Sequence, residues 1–222
     1  MRHRLVVRHS SAAERFVRLA ALTIVMAAVL PPSAALAQRR QFGGKAGPAF
    51  AQVLPEEDDG KSYSPRIGPY ISGFFVLPLN PRFALQFEAA SSPKGTRLKE
   101  PEGITQTLLL QYFEVPLLLR VSGPKVGGAP TYFIGGPFFG FKVSAKEQIS
   151  QLAGTFIAGQ RDKVDRFVEP FESGLIAGAG IDIGKYVLVE GRYSRGLTDV
   201  NKIDDFIGFT NHGFSFTAGV RF

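Results

Sequence analysis

The chain has 222 residues, no cysteine, and 26 Lys and Arg against 19 Asp and Glu, a formal net charge of +7. Five of the basic residues (Arg2, Arg4, Arg8, Arg15, Arg18) lie in the first 37 positions, and the rest of the chain carries 21 basic and 18 acidic residues. That near balance removes the clustered positive face that nucleic-acid binding requires. The lack of cysteine excludes a disulfide scaffold and a Cys/His metal site.

The five arginines lead into an apolar run, Leu19 to Leu30, and then into the small-residue cleavage pattern Ala35-Leu36-Ala37. This order reads as a secretory signal peptide over residues 1–37, cut before Gln38. Pro31 and Pro32 end the run well short of the ~20 residues a membrane-spanning helix needs. His212 is then the one histidine in residues 38–222, which are read as a single domain.

That domain is a series of short segments rich in Phe, Val, Ile, Leu and Tyr, separated by Gly, Pro, Asn and Asp, the pattern of an all-β protein. Eight strands are predicted, at 41–53, 66–78, 82–92, 105–122, 131–145, 170–184, 185–196 and 210–222. The connections at 79–82, 122–130 and 184–185 are short, and those at 54–65, 93–104, 146–169 and 196–209 are long and polar. Short turns on one rim and long loops on the other describe an up-and-down meander, the habit of outer-membrane barrels.

Alternation within the predicted strands separates two faces. Phe83, Leu85, Phe87 and Ala89 oppose Ala84, Gln86 and Glu88; Phe214, Phe216, Ala218, Val220 and Phe222 oppose Ser215, Thr217, Gly219 and Arg221. A soluble sheet also alternates, with its apolar face inward. Strand length near that of a tilted bilayer crossing, the weight of phenylalanine, and the terminal Phe222, which resembles the signal read by barrel-assembly machinery, favour a lipid-facing exterior. The expected fold is an all-β, eight-stranded antiparallel transmembrane barrel, exported to the outer membrane of a double-membraned bacterium and monomeric in its lipid. A soluble, lipocalin-like binding barrel is the alternative architecture.

In the segment "YFEVPLLLR", Phe113, Val115, Leu117 and Leu119 share the lipid face, so Glu114 and Arg120 point inward. The interior of an eight-stranded barrel is just wide enough for side chains to fill it, and a charge there needs a partner. Glu88, Glu114, Arg120, Asp182, Glu190, Arg192 and Arg221 are therefore expected to form a plug of crossed ion pairs, with an ion or solute path as the alternative. Pro116 cannot donate to its ladder, and a bulge or bend near the turn rim is expected to absorb the defect; Pro69 and Pro137 pose the same problem. Gly174, Gly178, Gly180 and Gly184 are expected on the inward face, leaving room for long side chains.

The same segment resembles the Tyr-Leu-Glu-Ile-Pro-Leu-Leu-Leu-Lys strand of PorT-type outer-membrane barrels, with Phe113 and Arg120 as mild departures. "FGGKAGPAF" (42–50) and the glycine-rich stretch 174–197 are similar to that family's first strand and closing hairpin. The resemblance implies a small, OmpA-like eight-stranded barrel and carries over no active-site residue.

No catalytic, cofactor or metal residue is expected. "GGKAG" (43–47) lacks the spacing and hydroxyl of a phosphate loop. His212 stands three residues from Ser215, which on a strand puts the two on opposite faces. A binding role for an unidentified extracellular ligand falls to the long-loop rim, with Arg161, Asp162 and Arg166 as candidate residues; equally, strands could simply extend through that region.

Overall fold

The structure, a computed structural model, describes residues 40–55, 63–99, 104–151, 161–163, 168–199 and 209–222. The leader at 1–37 lies outside these residues, as does Arg166. The described elements are all strands: β1 (Gln41–Pro55), β2 (Tyr63–Pro78), β3 (Phe83–Lys99), β4 (Ile104–Val126), β5 (Ala129–Gln151), β6 (Arg161–Lys163), β7 (Phe171–Ile183), β8 (Val187–Gly196) and β9 (Phe209–Arg221). Every pairing is antiparallel. The long strands pair in chain order, β5 passes directly to β7, and β9 returns to β1, closing an eight-stranded up-and-down barrel.

The described strands number nine rather than eight. Beyond its pairing with β7, β5 continues to Gln151, and β6 lies against that extension, from Lys146↔Lys163 to Gln148↔Arg161. The region 146–169 is therefore in part paired sheet rather than a loop. Likewise β3 runs on to Lys99 through residues 93–99 that polarity had marked as loop. Both departures have one cause: once β4 projects past the barrel rim, its backbone groups need partners, and polar segments with no apolar alternation supply them.

The side-chain pattern is inverted relative to a soluble barrel. Along β2, Tyr70, Ser72, Phe74 and Val76 are buried and Ile67, Ile71 and Phe75 exposed; along β9, Ser215 and Thr217 are buried and Phe214, Phe216 and Val220 exposed. Among the described residues, twelve phenylalanines stand exposed on the outer wall. Exposed apolar area on that scale has no place in water and a natural one in lipid.

Tight connections occupy one rim. Gly127 and Gly128, with φ of 57° and 83°, form the two-residue turn between β4 and β5, where both positions require the left-handed region. Gly184 (φ 65°) opens the β7–β8 turn and so is a turn residue rather than an inward spacer. In the β2–β3 turn, Asn80 Oδ1 accepts from the backbone N–H groups of Arg82 and Phe83, both at 2.9 Å.

The expected bulge at Pro116 is absent. The β3–β4 register passes from Phe87↔Leu117 to Ala90↔Glu114 without a shift, and the ladder simply lacks pairs at the two positions between, while Pro116 stays paired to Phe138 on β5. Pro137 does the same, keeping its β7 partner Leu175 across a gap on the β4 side. Pro69 falls where the β2–β3 register shifts, between Pro65 and Ile71. A proline lacks only one N–H, so it needs to loosen only one of its two ladders.

Close backbone approach explains several glycines. A Cβ on Gly136 would lie 2.2 Å from the Leu117 carbonyl oxygen, whereas one on Gly73 would meet nothing nearer than 3.9 Å. Replacing Gly136 with Val is expected to destabilise the barrel by about 1–3 kcal/mol through overpacking, and Gly73→Ala to leave it nearly unchanged. Urea midpoints of the two variants refolded in detergent, followed by the compact band on unboiled gels, check this.

Candidate functional site in the barrel lumen

Inward-facing positions on all eight barrel strands converge on the lumen, and their charged side chains form three tiers. Eight ion pairs join five cations (Lys45, Lys94, Arg120, Arg192, Arg221) to five carboxylates (Glu88, Glu114, Glu172, Asp182, Glu190) among the described residues.

The middle tier is the most fully connected. Glu88 on β3 receives Lys45 Nζ at 2.8 Å and Arg192 Nη1 and Nη2 at 3.1 and 2.9 Å, together with Gln86 Nε2 at 2.6 Å. The hydroxyls of Tyr70 and Ser72 donate at 3.3 and 3.2 Å to Oε2, the oxygen that Arg192 Nη1 also reaches. Glu190 on β8 receives Lys45 Nζ at 2.8 Å, Arg192 Nε at 2.9 Å and Tyr132 Oη at 3.0 Å, and also pairs with Arg192 Nη2. Two cations and two carboxylates, all buried, neutralise one another with most lone pairs occupied, which is the condition for charges to persist away from water.

At the turn-rim mouth, Asp182 accepts from Arg120 Nη2 at 2.9 Å and from Arg221 Nη1 at 2.6 Å. The Arg120 guanidinium stacks 3.4 Å from the centre of the Tyr132 ring, a planar cation on a π face. Gly180 makes that stack possible: its missing Cβ would lie 2.2 Å from the same ring. Here a glycine clears space for an aromatic side chain from the adjacent strand, not for a long charge from across the lumen.

Toward the long-loop rim, Lys94 Nζ lies 2.8 Å from Glu114 and 3.8 Å from Glu172, and 4.6 Å above the Phe138 ring. Above this tier Leu110, Tyr112, Ala145 and Val168 pack into an apolar layer, with Leu108 and Phe209 against it. A void of about 20 Å³ beside Lys94 and Glu114 has room for a single water. A larger space of about 280 Å³, lined in part by Asn80, Arg120, Asp182 and Arg221, opens at the turn-rim mouth.

All seven charges expected inside are placed inside: Glu88, Glu190 and Arg192 together in the middle tier, and Arg120, Asp182 and Arg221 together at the mouth. Glu114 joins neither group. Its partner Lys94 was missed because it lies in a segment whose polarity reads as loop. Lys45 and Glu172 were missed as well, although both share the parity of inward neighbours, Lys45 with Gly43 and Gly47, and Glu172 with Gly174, Gly178 and Gly180.

His212 faces outward, its Nδ1 2.7 Å from the Tyr193 hydroxyl and its Nε2 3.1 Å from that of Thr210, while Ser215 is buried inside the barrel. The two do not form a nucleophile and base. Of the candidate loop residues, Arg161 and Asp162 are in β6, opposite Gln148 and Glu147.

A phenylalanine-rich exterior around an ion-paired polar interior, in a sheet closed where β9 meets β1, defines a transmembrane β-barrel. Residues 33–202 match the model of the outer membrane protein beta-barrel domain family, and the chain belongs to that family. β9 lies beyond the matched residues and completes the ring. No curated protein sequence matches the chain significantly. Solved structures similar to it include Ail, the attachment invasion locus protein of Yersinia pestis, crystallised with the heparin analogue sucrose octasulfate (16% identity over 83% of this chain and 100% of that one, TM-score 0.43). Others are Neisserial surface protein A (12% identity, 83% and 100% covered, TM-score 0.48) and OprG from Pseudomonas aeruginosa (11% identity, 82% and 95% covered, TM-score 0.40). With membership in an outer-membrane family, the short-turn rim is the periplasmic one and the long-loop rim the external one.

The middle tier makes a quantitative expectation. Arg192→Met leaves Glu88 and Glu190 with Lys45 as their remaining cation, and is expected to cost about 3–5 kcal/mol, the scale for breaking a buried pair. The double variant Arg192→Met/Glu88→Leu should cost less than the sum of the two single changes. A double-mutant cycle of urea unfolding in detergent micelles measures the difference.

Proposed function

We propose that this protein is a closed, non-conducting, monomeric barrel whose role is structural or in surface interaction, exercised through its external rim. The observation that carries the reading is the middle tier, where Arg192 and Lys45 are tied to Glu88 and Glu190 across the lumen and Tyr70 and Tyr132 fill the space beside them. An ion path would need to break charge-assisted bonds between side chains that are almost wholly buried. The seven inward charges deduced from sequence then act as a structural plug, not as a conduction pathway.

In this reading residues 1–37 direct export and are removed, Phe222 is read by the barrel-assembly machinery, and lipid is the lasting partner. The likeness of residues 112–120 to PorT-type barrels supports the same placement. A ligand would bind at the external rim, where β3, β4, β5 and β6 rise past the barrel and carry Arg161 and Asp162, with Arg166 in the same region of the sequence. No metal, cofactor or catalytic step is invoked.

The test is conductance of the refolded chain in a planar bilayer, run beside a gel with and without boiling. A band that shifts on boiling, with no discrete current steps, is the expected result. Discrete steps from a heat-modifiable sample would replace this reading with that of a small pore, and a chain soluble without detergent would restore the lipocalin-like alternative. Substituting Arg161, Asp162 and Arg166 together should leave the boiling shift unchanged.

A further inference from the structure

The paired charges of the lumen balance as a set but not tier by tier. Among the described residues the tier toward the external rim sets Lys94 against Glu114 and Glu172, the middle tier sets Lys45 and Arg192 against Glu88 and Glu190, and the mouth sets Arg120 and Arg221 against Asp182. One carboxylate is therefore in excess at the external end and one guanidinium at the periplasmic end. The first excess lies beneath the apolar layer of Leu110, Tyr112, Ala145 and Val168. The second opens to solution through the mouth space of about 280 Å³, where Asp182 is the one carboxylate in the lining.

Asp182 does not use up the two guanidinium groups. Arg120 gives Nη1 to Gln86 and Nη2 to Asp182, and Arg221 gives Nε to the Lys185 carbonyl and Nη1 to Asp182 and Gln41. Arg120 Nε and Arg221 Nη2 have no hydrogen-bond partner among the described residues. Their side chains are 11% and 13% exposed, against 3% or less for the cations of the two deeper tiers, so these two alone of the lumen's paired cations meet solution. The Tyr132 ring holds the Arg120 guanidinium in place from one side. Two more cations, Arg82 and Lys185, are exposed on the adjoining turns, and their carbonyls bond directly to cavity residues, Arg82 accepting from the Ser122 N–H at 2.8 Å and Lys185 from Arg221 Nε at 3.3 Å. A cleft in which one sign of charge prevails concentrates counter-ions.

We propose that the periplasmic mouth is a binding site for one oxyanion, the carboxylate or phosphate group of a small periplasmic solute, held by Arg120 and Arg221. The planar fork of a guanidinium matches such groups in shape as well as in charge. Asn80 lines the same space, and because its Oδ1 is held by its own turn it has Nδ2 to offer as a neutral donor. A space of about 280 Å³ admits a small anion and falls short of what a drug-sized ligand takes. Beyond it the middle tier fills the lumen, so the anion enters and leaves by the same mouth.

Heteronuclear NMR of the barrel refolded in an uncharged maltoside detergent tests it, with sodium phosphate or sodium acetate titrated at neutral pH and constant ionic strength against sodium chloride. The Nε–H signals of Arg120 and Arg221 should shift saturably with an oxyanion and not with chloride. Saturation by acetate alone assigns the site to carboxylates, and saturation by phosphate alone assigns it to phosphates. R221Q, which leaves Arg120 and Asp182 as a matched pair, should weaken the response of Arg120 at least fivefold. S122E places a carboxylate at an exposed position in the same lining; it should weaken binding as much while the boiling shift of the barrel is kept. The absence of a saturable shift with both oxyanions overturns the proposal, as does a response that S122E leaves unweakened.

Discussion

The constraint on which this barrel depends is the burial of charge inside a ring of eight strands. Eight strands leave an interior that side chains fill, and an ion there is stable only when its partner sits at bonding distance and its remaining donors or lone pairs are used. The solution is distributed around the ring: Lys45 comes from β1, Glu88 from β3, Glu190 and Arg192 from β8. No two adjacent strands could assemble that tier. The charges become compatible with burial only when β9 meets β1, so closure of the sheet and neutralisation of the lumen are one event. The ion pairs accordingly specify register as much as they add stability, since slipping one strand by a residue would send its charge into lipid.

The same inversion governs the small residues and prolines. With bulky groups assigned to the lipid face and long polar groups to the lumen, the backbone itself becomes the tightest contact at several crossings, and glycine occupies them. Gly136 lets β5 approach the Leu117 carbonyl, and Gly180 lets the Tyr132 ring lie flat under Arg120. Prolines are tolerated inside a closed sheet because the strand on the other side still holds them in register, as Phe138 holds Pro116 and Leu175 holds Pro137. A membrane barrel therefore need not place every proline at a bulge.

Much of this was legible in the sequence because one period, two, decides both environments. Once Phe113 and Val115 are taken as lipid-facing, Glu114 and Arg120 have only the lumen left, and the same parity on other strands gives Glu88, Asp182, Glu190, Arg192 and Arg221. The misses share a physical origin. Polarity was read as a loop signal in residues 93–104 and 146–169, yet a strand that has left the bilayer has no apolar face to show, so Lys94 and the β6 pairing were hidden. Lys45 was hidden differently: its segment was weighed only as a phosphate loop, although the parity that makes Gly43 and Gly47 inward applies equally to the lysine between them. The bulge assigned to Pro116 failed because a single missing N–H disturbs one ladder and not both.

The two rims are left with different tasks by this division. Among the described residues ten charged side chains of the lumen are held in ion pairs with one another, which leaves them little freedom to change. Chemical variety can then enter only where the strands stop. On the periplasmic side they stop in turns whose geometry is fixed by Gly127, Gly128, Asn80 and Gly184, leaving charge sign as the property free to vary, and there the exposed charges are basic. On the external side β4 and β5 overshoot the barrel and recruit β6, so shape as well as charge is open to change. A core whose charges are paired with one another thus leaves the rims, rather than the lumen, as the places where sequence is least constrained by the fold.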